Sequence, residues 1–371
     1  MVLLVDRLCR SLKLSSKLEN HHHHSRSHHQ PELLQSNASF QAFLSDVSDG
    51  LKQLCLDSKP GSEFLSSSWI QGCLKQMLLM NRSFAKLVMD IDYPMSRWEA
   101  ASVEEYLKYS LYLLELLNCI SSSLSHLGQA RIVLSHALSL LKNSPSSARD
   151  RLRAIQLKSF GKDFKEERNK EKEDRQRLLC GKEAVVHQAL LAMRSTGFWV
   201  CGVVLSSLCA DAKPYLEMRK WANGFGESLL TGFDSSVWKE MMEKRGVLKE
   251  VKEVNSAVAC LVAAIDTGKV GDSAEELKRR LEVLEQQLEC VGKDADLLFS
   301  EALAARNELL GGLRQQMQWQ QSHDTTITYS KLNNFLSAGS NCNVPDSKLN
   351  NILYADSNYN VPGETEDSAG F

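Results

Sequence analysis

The residue types that most readily do chemistry are present in this chain but scattered. Six histidines fall between His21 and His29, at His21–His24, His28 and His29. Imidazoles bind transition metals, yet this tract lies among Ser and Arg with nothing to fix ligand geometry, and it reads as low-complexity linker. Ten cysteines occur and no two form a C-x-x-C pair, so zinc binding has no support. They read instead as reduced, mostly buried thiols of an intracellular chain. Asp90, Asp92 and Glu99 form an acidic group around Pro94. Such oxygens could hold a cation, but next to a proline they read as turn and cap carboxylates. His126 and His136 sit ten residues apart on helical surface and do not converge, and His187 stands alone. Gly224-Phe225-Gly226 lacks the preceding strand that a phosphate loop needs, and H-E-x-x-H is absent. No nucleophile–base pair is favoured. Accordingly no catalytic, cofactor-binding or metal-binding residue is assigned, and no cofactor.

The elements around these residues are helical almost throughout. Phe40, Phe43, Val47, Leu51 and Leu54 recur every three or four residues and share one helix face. Pro60-Gly61 stops that helix, and Ser66–Ser68 offers N-caps for the next. There Ile70, Cys73, Met77, Phe84, Leu87 and Val88 mark a second apolar face, with Trp69 near its start. Pro94 predicts a sharp turn over Asp92–Met95, and Ser96 with Glu99 fits a capping box for a long third helix. Its buried stripe is Trp98, Ala101, Tyr106, Ser110, Leu113, Leu117 and Leu124, continuing through Val133, Ala137, Leu138 and Leu141 to Asn143-Ser144-Pro145. Arg149 to Arg177 is a run of alternating charge, read as an exposed connection between two halves.

Directly after that run comes Ser195–Ala210, sixteen residues without a charge, bounded by Arg194 and Asp211. A membrane span needs about 20 apolar residues, so the length favours a buried core helix over a simple crossing, with membrane association kept open. Farther on, Val247, Val251, Val254, Val258, Leu261 and Ile265 are spaced four, three, four, three, four. Leu277, Leu281, Leu284, Leu288, Val291, Ala295, Leu298, Ala302, Ala305 and Leu309 keep the alternation after a break at Thr267–Ser273. This is the seam of an antiparallel coiled-coil-like hairpin, with Ser273 and Glu276 as a further capping box. Ser330–Pro345 and Ser347–Pro362 are tandem copies in an Asn- and Ser-rich tail expected to be disordered. At the other end, Leu4, Leu8, Leu12 and Leu14 stand against Arg7, Arg10, Lys13 and Lys17 in an amphipathic, basic segment. That segment reads first as a helix packed on the body or a frayed end, and otherwise as a membrane-surface anchor or an organelle-targeting sequence.

The expected fold is therefore all-α: an elongated multi-helix bundle with a C-terminal antiparallel coiled-coil-like hairpin and disordered ends. Its parts are an N-terminal amphipathic and His-rich segment (1–36), a helical domain (37–320) and a repeated tail (321–371). Within the domain lie a first lobe (37–148), a charged connection (149–180) and a second lobe (181–320). A net charge of -2 with Lys and Arg interleaved by acids gives no footprint for nucleic acid. Expected partners are proteins met through helical surfaces, with membrane association through Ser195–Ala210 or the N-terminus.

Several stretches resemble the plant BYPASS family and its BYPASS-like relatives. They are SSSWI at Ser66–Ile70, the MDIDYPMSRWE turn, the EEYLKYSLYLLELLNCISSSLSHLGQARIVLSHAL run, and RNELLGGLRQQ at Arg306–Gln316. Trp69, Pro94, Trp98, Glu99, Tyr106 and Leu107 fall in family order. The expanded charge run and the repeated tail depart from it. The resemblance implies an all-helical, plant-specific protein without established catalytic activity, acting in root and shoot development by restraining a root-made mobile signal. Related branches are linked to exocytosis. It also implies membrane association for some members at the position of Ser195–Ala210, so the expected location is cytoplasmic or membrane-associated, including the endoplasmic reticulum or a single pass near that stretch.

Overall fold

Phe40, Phe43, Val47, Leu51 and Leu54 are all buried along one face of helix α1 (His29–Leu56). The computed structural model describes residues 29–56, 64–157, 180–222, 227–243 and 246–323. Among them the regular elements are nine α-helices and one 3-10 turn, with no strand. The His tract before His29, Pro60-Gly61, most of the charge run, Gly224–Gly226 and the repeated tail lie outside the described residues. The chain divides into two compact units, 1–313 and 314–371.

Helix α2 (Ser67–Asp90) starts as its serines suggest: Ser66 is the N-cap, and its hydroxyl accepts from the Trp69 amide at 3.1 Å. It runs antiparallel to α1. Trp69 Nε1 donates to the Leu54 carbonyl near one end, and Ser83 Oγ bonds Asp46 farther along. Phe43 packs edge-on against Phe84, centroids 6.3 Å apart. After α2 the chain turns through Asp92, at φ 47°, and Pro94 into a 3-10 turn over Met95–Arg97. Helix α3 (Ala100–Leu140) follows without interruption through Ser121–Ser123 and Gly128.

Two local expectations fail here. Ser96 sits in the 3-10 turn, and the N-cap is Glu99, whose side chain makes no cap bond. With Trp98 extended beyond Pro94, Ser96 is outside the first turn it was to cap. Along the stripe, Val133 is 56% exposed while Leu134 is buried, because the inward row of α3 has drifted by one position there.

Pro145 opens the short α4 (Pro145–Arg151), where its fixed φ and missing N–H suit the first helical position. Its continuation is pinned: the Ile155 amide donates to Asn255 Oδ1 at 2.7 Å. Helix α5 (Gly181–Cys209) contains the uncharged stretch, and every residue from Ser195 to Cys209 is buried. It packs against α1, α2, α3, α6 (Lys213–Ala222) and α7 (Glu227–Glu243). Elements from both sides of the charge run thus share one core.

Helix α8 (Lys249–Thr267) and α9 (Gly271–His323) are joined by a turn at Gly268, φ 73°, which closes α8 with a left-handed C-cap. Val251, Val254, Val258 and Leu261 are buried on α8; Leu277 through Leu309 form the buried stripe on α9. Arg280 bonds Glu253 across the pair. Yet α8 has 19 residues and α9 has 53. At about 1.5 Å per residue the shorter helix runs out early, so most of the α9 stripe must find other neighbours. The α9 residues Gln287, Glu301 and Arg306 reach Gln71, Arg82 and Leu107 on α2 and α3. The second capping box also fails, since α9 begins at Gly271 and Ser273 is already inside it. Glu276 instead pairs with Arg279 and Arg280.

Candidate functional site: a buried helix held by long-range polar pairs

A helix as apolar as α5 binds strongly but without direction, because burial is insensitive to rotation and slip. Its position is fixed by a few polar groups that must find partners once buried. At the N-terminal end, Glu183 is 4% exposed. Its carboxylate accepts from the Glu99 amide at 3.2 Å and from the Ser102 hydroxyl. It therefore caps α3 from 84 residues away, where the local capping box does not. Burial, and then the nearby Glu183 carboxylate, push the Tyr93 phenol up from its ordinary value. Immediately before the uncharged stretch, Arg194 Nη1 donates to Glu105 Oε1 at 2.9 Å, with Glu105 buried.

The densest junction lies where α5, α6 and α7 meet. Asp234 on α7 accepts from Trp199 Nε1 at 2.8 Å and from the Tyr215 hydroxyl at 2.5 Å. Its other oxygen accepts from Arg219 Nε at 2.6 Å, and that guanidinium lies 4.8 Å from the Trp238 ring centre. One carboxylate thus takes a donor from α5 and two from α6. Burial, then the hydrogen bond that its hydroxyl donates to Asp234, raise the Tyr215 phenol. Close approach of the helices depends on Gly202: a Cβ there would stand 2.7 Å from Met218 Cβ and 3.1 Å from the Pro214 carbonyl. Ser206 Oγ completes the joint by accepting the Tyr215 amide at 2.9 Å.

Two more junctions tie the later helices to the earlier ones. Glu250, in the first turn of α8, accepts the Ser67 amide at 2.9 and 3.1 Å, capping α2 across 183 residues. In return the Lys249 amide donates to the Leu65 carbonyl at 3.0 Å, with Leu65 at φ 57°. Burial raises the Glu250 carboxyl even against these favourable bonds. Arg306 donates to the Leu107 carbonyl and, at 2.8 Å, to Ser110 Oγ. Burial lowers its guanidinium.

Among the described residues the thiols are less uniformly buried than expected, with Cys180, Cys260 and Cys290 exposed, and only the buried Cys73 and Cys201 are held unsuited to nucleophilic work. Cys201 donates to Met77 Sδ at 3.8 Å, and burial pushes it up to about 12. Cys73 is raised by the same cause. A thiolate is the reactive form, and at Cys73 and Cys201 it is suppressed. Asp90, Asp92 and Glu99 stay apart as turn and cap residues; His126 contacts the Gln156 carbonyl and His136 contacts Arg151. Among the described residues no three His, Cys, Asp or Glu come together as a metal site.

Glu183, Glu105, Asp234 and Glu250 were not singled out by sequence reasoning. A signal existed for two. Glu183 is the acid that opens the most apolar helix, and Asp234 lies in a short run between Phe233 and Trp238. Gly181–Cys209 is the one helix among the described residues long and apolar enough to cross a membrane, and 89% of its most apolar window is buried by other helices.

Fold and site define an all-helical scaffold in which the buried ionic and polar side chains described above join helices to one another. No family model matches the chain, and no solved structure does. Among known proteins it is 27% identical over 279 residues to Protein BPS1, chloroplastic, of Arabidopsis thaliana, covering 69% of this chain and 78% of that protein. It is also 22% identical over 272 residues to UPF0496 protein 4 of Oryza sativa subsp. japonica, and equally to that of subsp. indica. Those matches cover 67% of this chain, and the chain spans 59% of the length of each rice protein. The similarity to these plant proteins thus covers 67–69% of the chain and supports the BYPASS-like assignment that the sequence motifs suggest. Residues that carry the resemblance meet in space. Trp98 packs on Tyr106 at 5.9 Å, and Arg306 of the late motif bonds Leu107 and Ser110 of the early one.

Proposed function

We propose that this protein is a non-enzymatic regulator of root and shoot development in plants, restraining a root-derived mobile signal through protein–protein contacts. The similarity to Protein BPS1 carries this reading. The arrangement of the helices supports it: Glu183, Glu105, Asp234, Glu250 and Arg306 are all engaged in helix junctions, and Cys73 and Cys201 are held as thiols. Partners would meet exposed helix faces. Plants lacking the protein should arrest their shoots and recover when grafted onto normal roots; normal shoots on mutant roots sink the proposal. Lys278→Glu with Glu282→Lys, on the exposed side of α9, should fail to restore growth while the purified variant keeps its helicity.

A second reading is a membrane-associated adaptor in exocytosis or trafficking, favoured by the length and apolarity of Gly181–Cys209. Alkaline carbonate extraction of a tagged protein separates the two. Retention in the pellet favours the membrane reading, and complete release removes its integral form. The Arabidopsis relative is named chloroplastic. Imaging a C-terminally tagged protein therefore also tests whether the basic N-terminal segment is an organelle address.

A further inference from the structure

We infer that the groove between α1 and α2 is the docking site of this chain's own N-terminal segment, residues 4–18. The groove measures about 860 Å³ and opens to solvent between Asp46 and Asp49 on α1 and Leu79, Met80, Lys86 and Asp90 on α2. That volume falls within the roughly 300–1,000 Å³ of binding clefts. Leu79 is 56% exposed in a helix whose other large apolar residues are mostly buried, so the groove has an apolar floor open to a partner.

Three observations point to the segment as occupant. The first is pattern. At about 100° per residue on a helical wheel, Leu4, Val5, Leu8, Leu12 and Leu18 share one arc with Ser11 and Ser15, while Arg10, Lys13, Lys17 and Leu14 lie outside it. An apolar face of that width fits a groove floored by Leu79 and Met80. The second is charge. Asp46, Asp49 and Asp90 line the groove against Arg82 and Lys86, of which Arg82 is engaged by Glu301, and Arg7 and Lys13 flank the apolar arc on opposite sides. The third is reach. The groove runs along α2 from Gln76 to Asp90, and Leu4 to Leu18 covers the same number of residues, about 21 Å of helix in each case. The Asp90 end lies toward the start of α1, because α1 and α2 are antiparallel. Residues 19–28 can extend about 33 Å, which returns the chain from that end to His29. The segment then runs alongside α2 in the same direction, with Leu8 and Cys9 beside Leu79.

Native Cys9 makes the test direct. Leu79→Cys is placed in the full chain, on an exposed position whose change leaves the core intact, and mild oxidation is followed by peptide mass spectrometry. A disulfide within one molecule, between Cys9 and the thiol introduced at position 79, is expected. It should fall at least tenfold when Leu8→Asp and Leu12→Asp are added. Mixing heavy- and light-isotope protein separates intramolecular from intermolecular links. A link between molecules means a second copy occupies the groove and overturns the proposal, as does no link, or one indifferent to the Asp substitutions. In the chain with native Leu79, the same two Asp substitutions should speed amide exchange at Asp46–Gly50 and Leu79–Asp90 by tenfold or more. Unchanged exchange there likewise overturns it.

Discussion

Helix α5 is buried on every side from Ser195 to Cys209, whereas α9 buries a narrow stripe and leaves Glu282, Glu285 and Glu289 in water. The first is specified by what surrounds it, the second by its own spacing. A fully apolar helix has no preferred rotation of its own, so orientation comes from Glu183, Arg194, Gly202 and the indole of Trp199. The stripe on α9 dictates its orientation, and its polar contacts with α2 and α3 act as register marks. Apolarity thus supplies affinity, while a small number of polar or small residues supplies uniqueness.

The contrast breaks most visibly at Gly202. Gly202→Arg should abolish cooperative folding altogether, seen as loss of most helical circular dichroism, because even a Cβ meets Met218 and the Pro214 carbonyl. Gly202→Ala should cost about 1–3 kcal/mol in urea unfolding. A folded Gly202→Arg protein would mean α6 can leave α5 at little cost. Next comes Leu284→Ala on α9, fully buried, at about 2–5 kcal/mol. If α9 belongs to the common core, amide protection falls in α2 and α3 as well; loss confined to α8 and α9 would make the pair a separate unit.

Asp234→Ala removes the carboxylate that accepts from Trp199, Tyr215 and Arg219 and should cost about 2–3 kcal/mol. Asp234→Asn should recover part of it, and equal losses would assign the effect to packing rather than hydrogen bonding. The smallest effects are in pH. Hydrogen bonds from Arg279 and Arg280 hold the Glu276 carboxyl at about 2, below its unfolded value. Its contribution is present above about pH 4.5 and is lost as pH falls through about 2. Burial raises Glu250, so its sign is opposite: its contribution is full below the unfolded value and fades as pH rises through the raised one. Urea midpoints of Glu250→Gln should therefore vary less with pH above 4.5 than those of the native chain, and identical profiles would refute that assignment.

Much of the helical layout was legible in the residues, because a buried face repeats at the helical period whatever covers it. The stripes of α1 and α2, the Pro94 turn and the α9 spacing all follow from that. Caps were legible only where they are local. Ser66 caps α2 as its position suggested, but Ser96 with Glu99 and Ser273 with Glu276 do not form the boxes their spacing matches. The carboxylates on the Glu99 and Ser67 amides come from Glu183 and Glu250, and no local motif encodes partners so distant. Ser195–Ala210 was ambiguous for the same reason, since its own residues do not say what surrounds it. The α1–α2 groove left no mark in the pattern, because Leu79 differs from its buried neighbours only in which way it faces.

The distant caps also set an order of events during synthesis. Helix α2 leaves the ribosome 183 residues before Glu250, a delay of roughly 10–40 s at about 5–20 residues per second. Until α5 emerges with Glu183, the nascent first half carries the Glu99 amide uncapped and a core face uncovered, and the Ser67 amide waits longer, for Glu250. Its helices can form early, but they cannot be locked until the second half arrives. The first half of the chain is therefore not expected to fold alone, and shortened proteins ending before α5 should aggregate instead of behaving as a stable fragment.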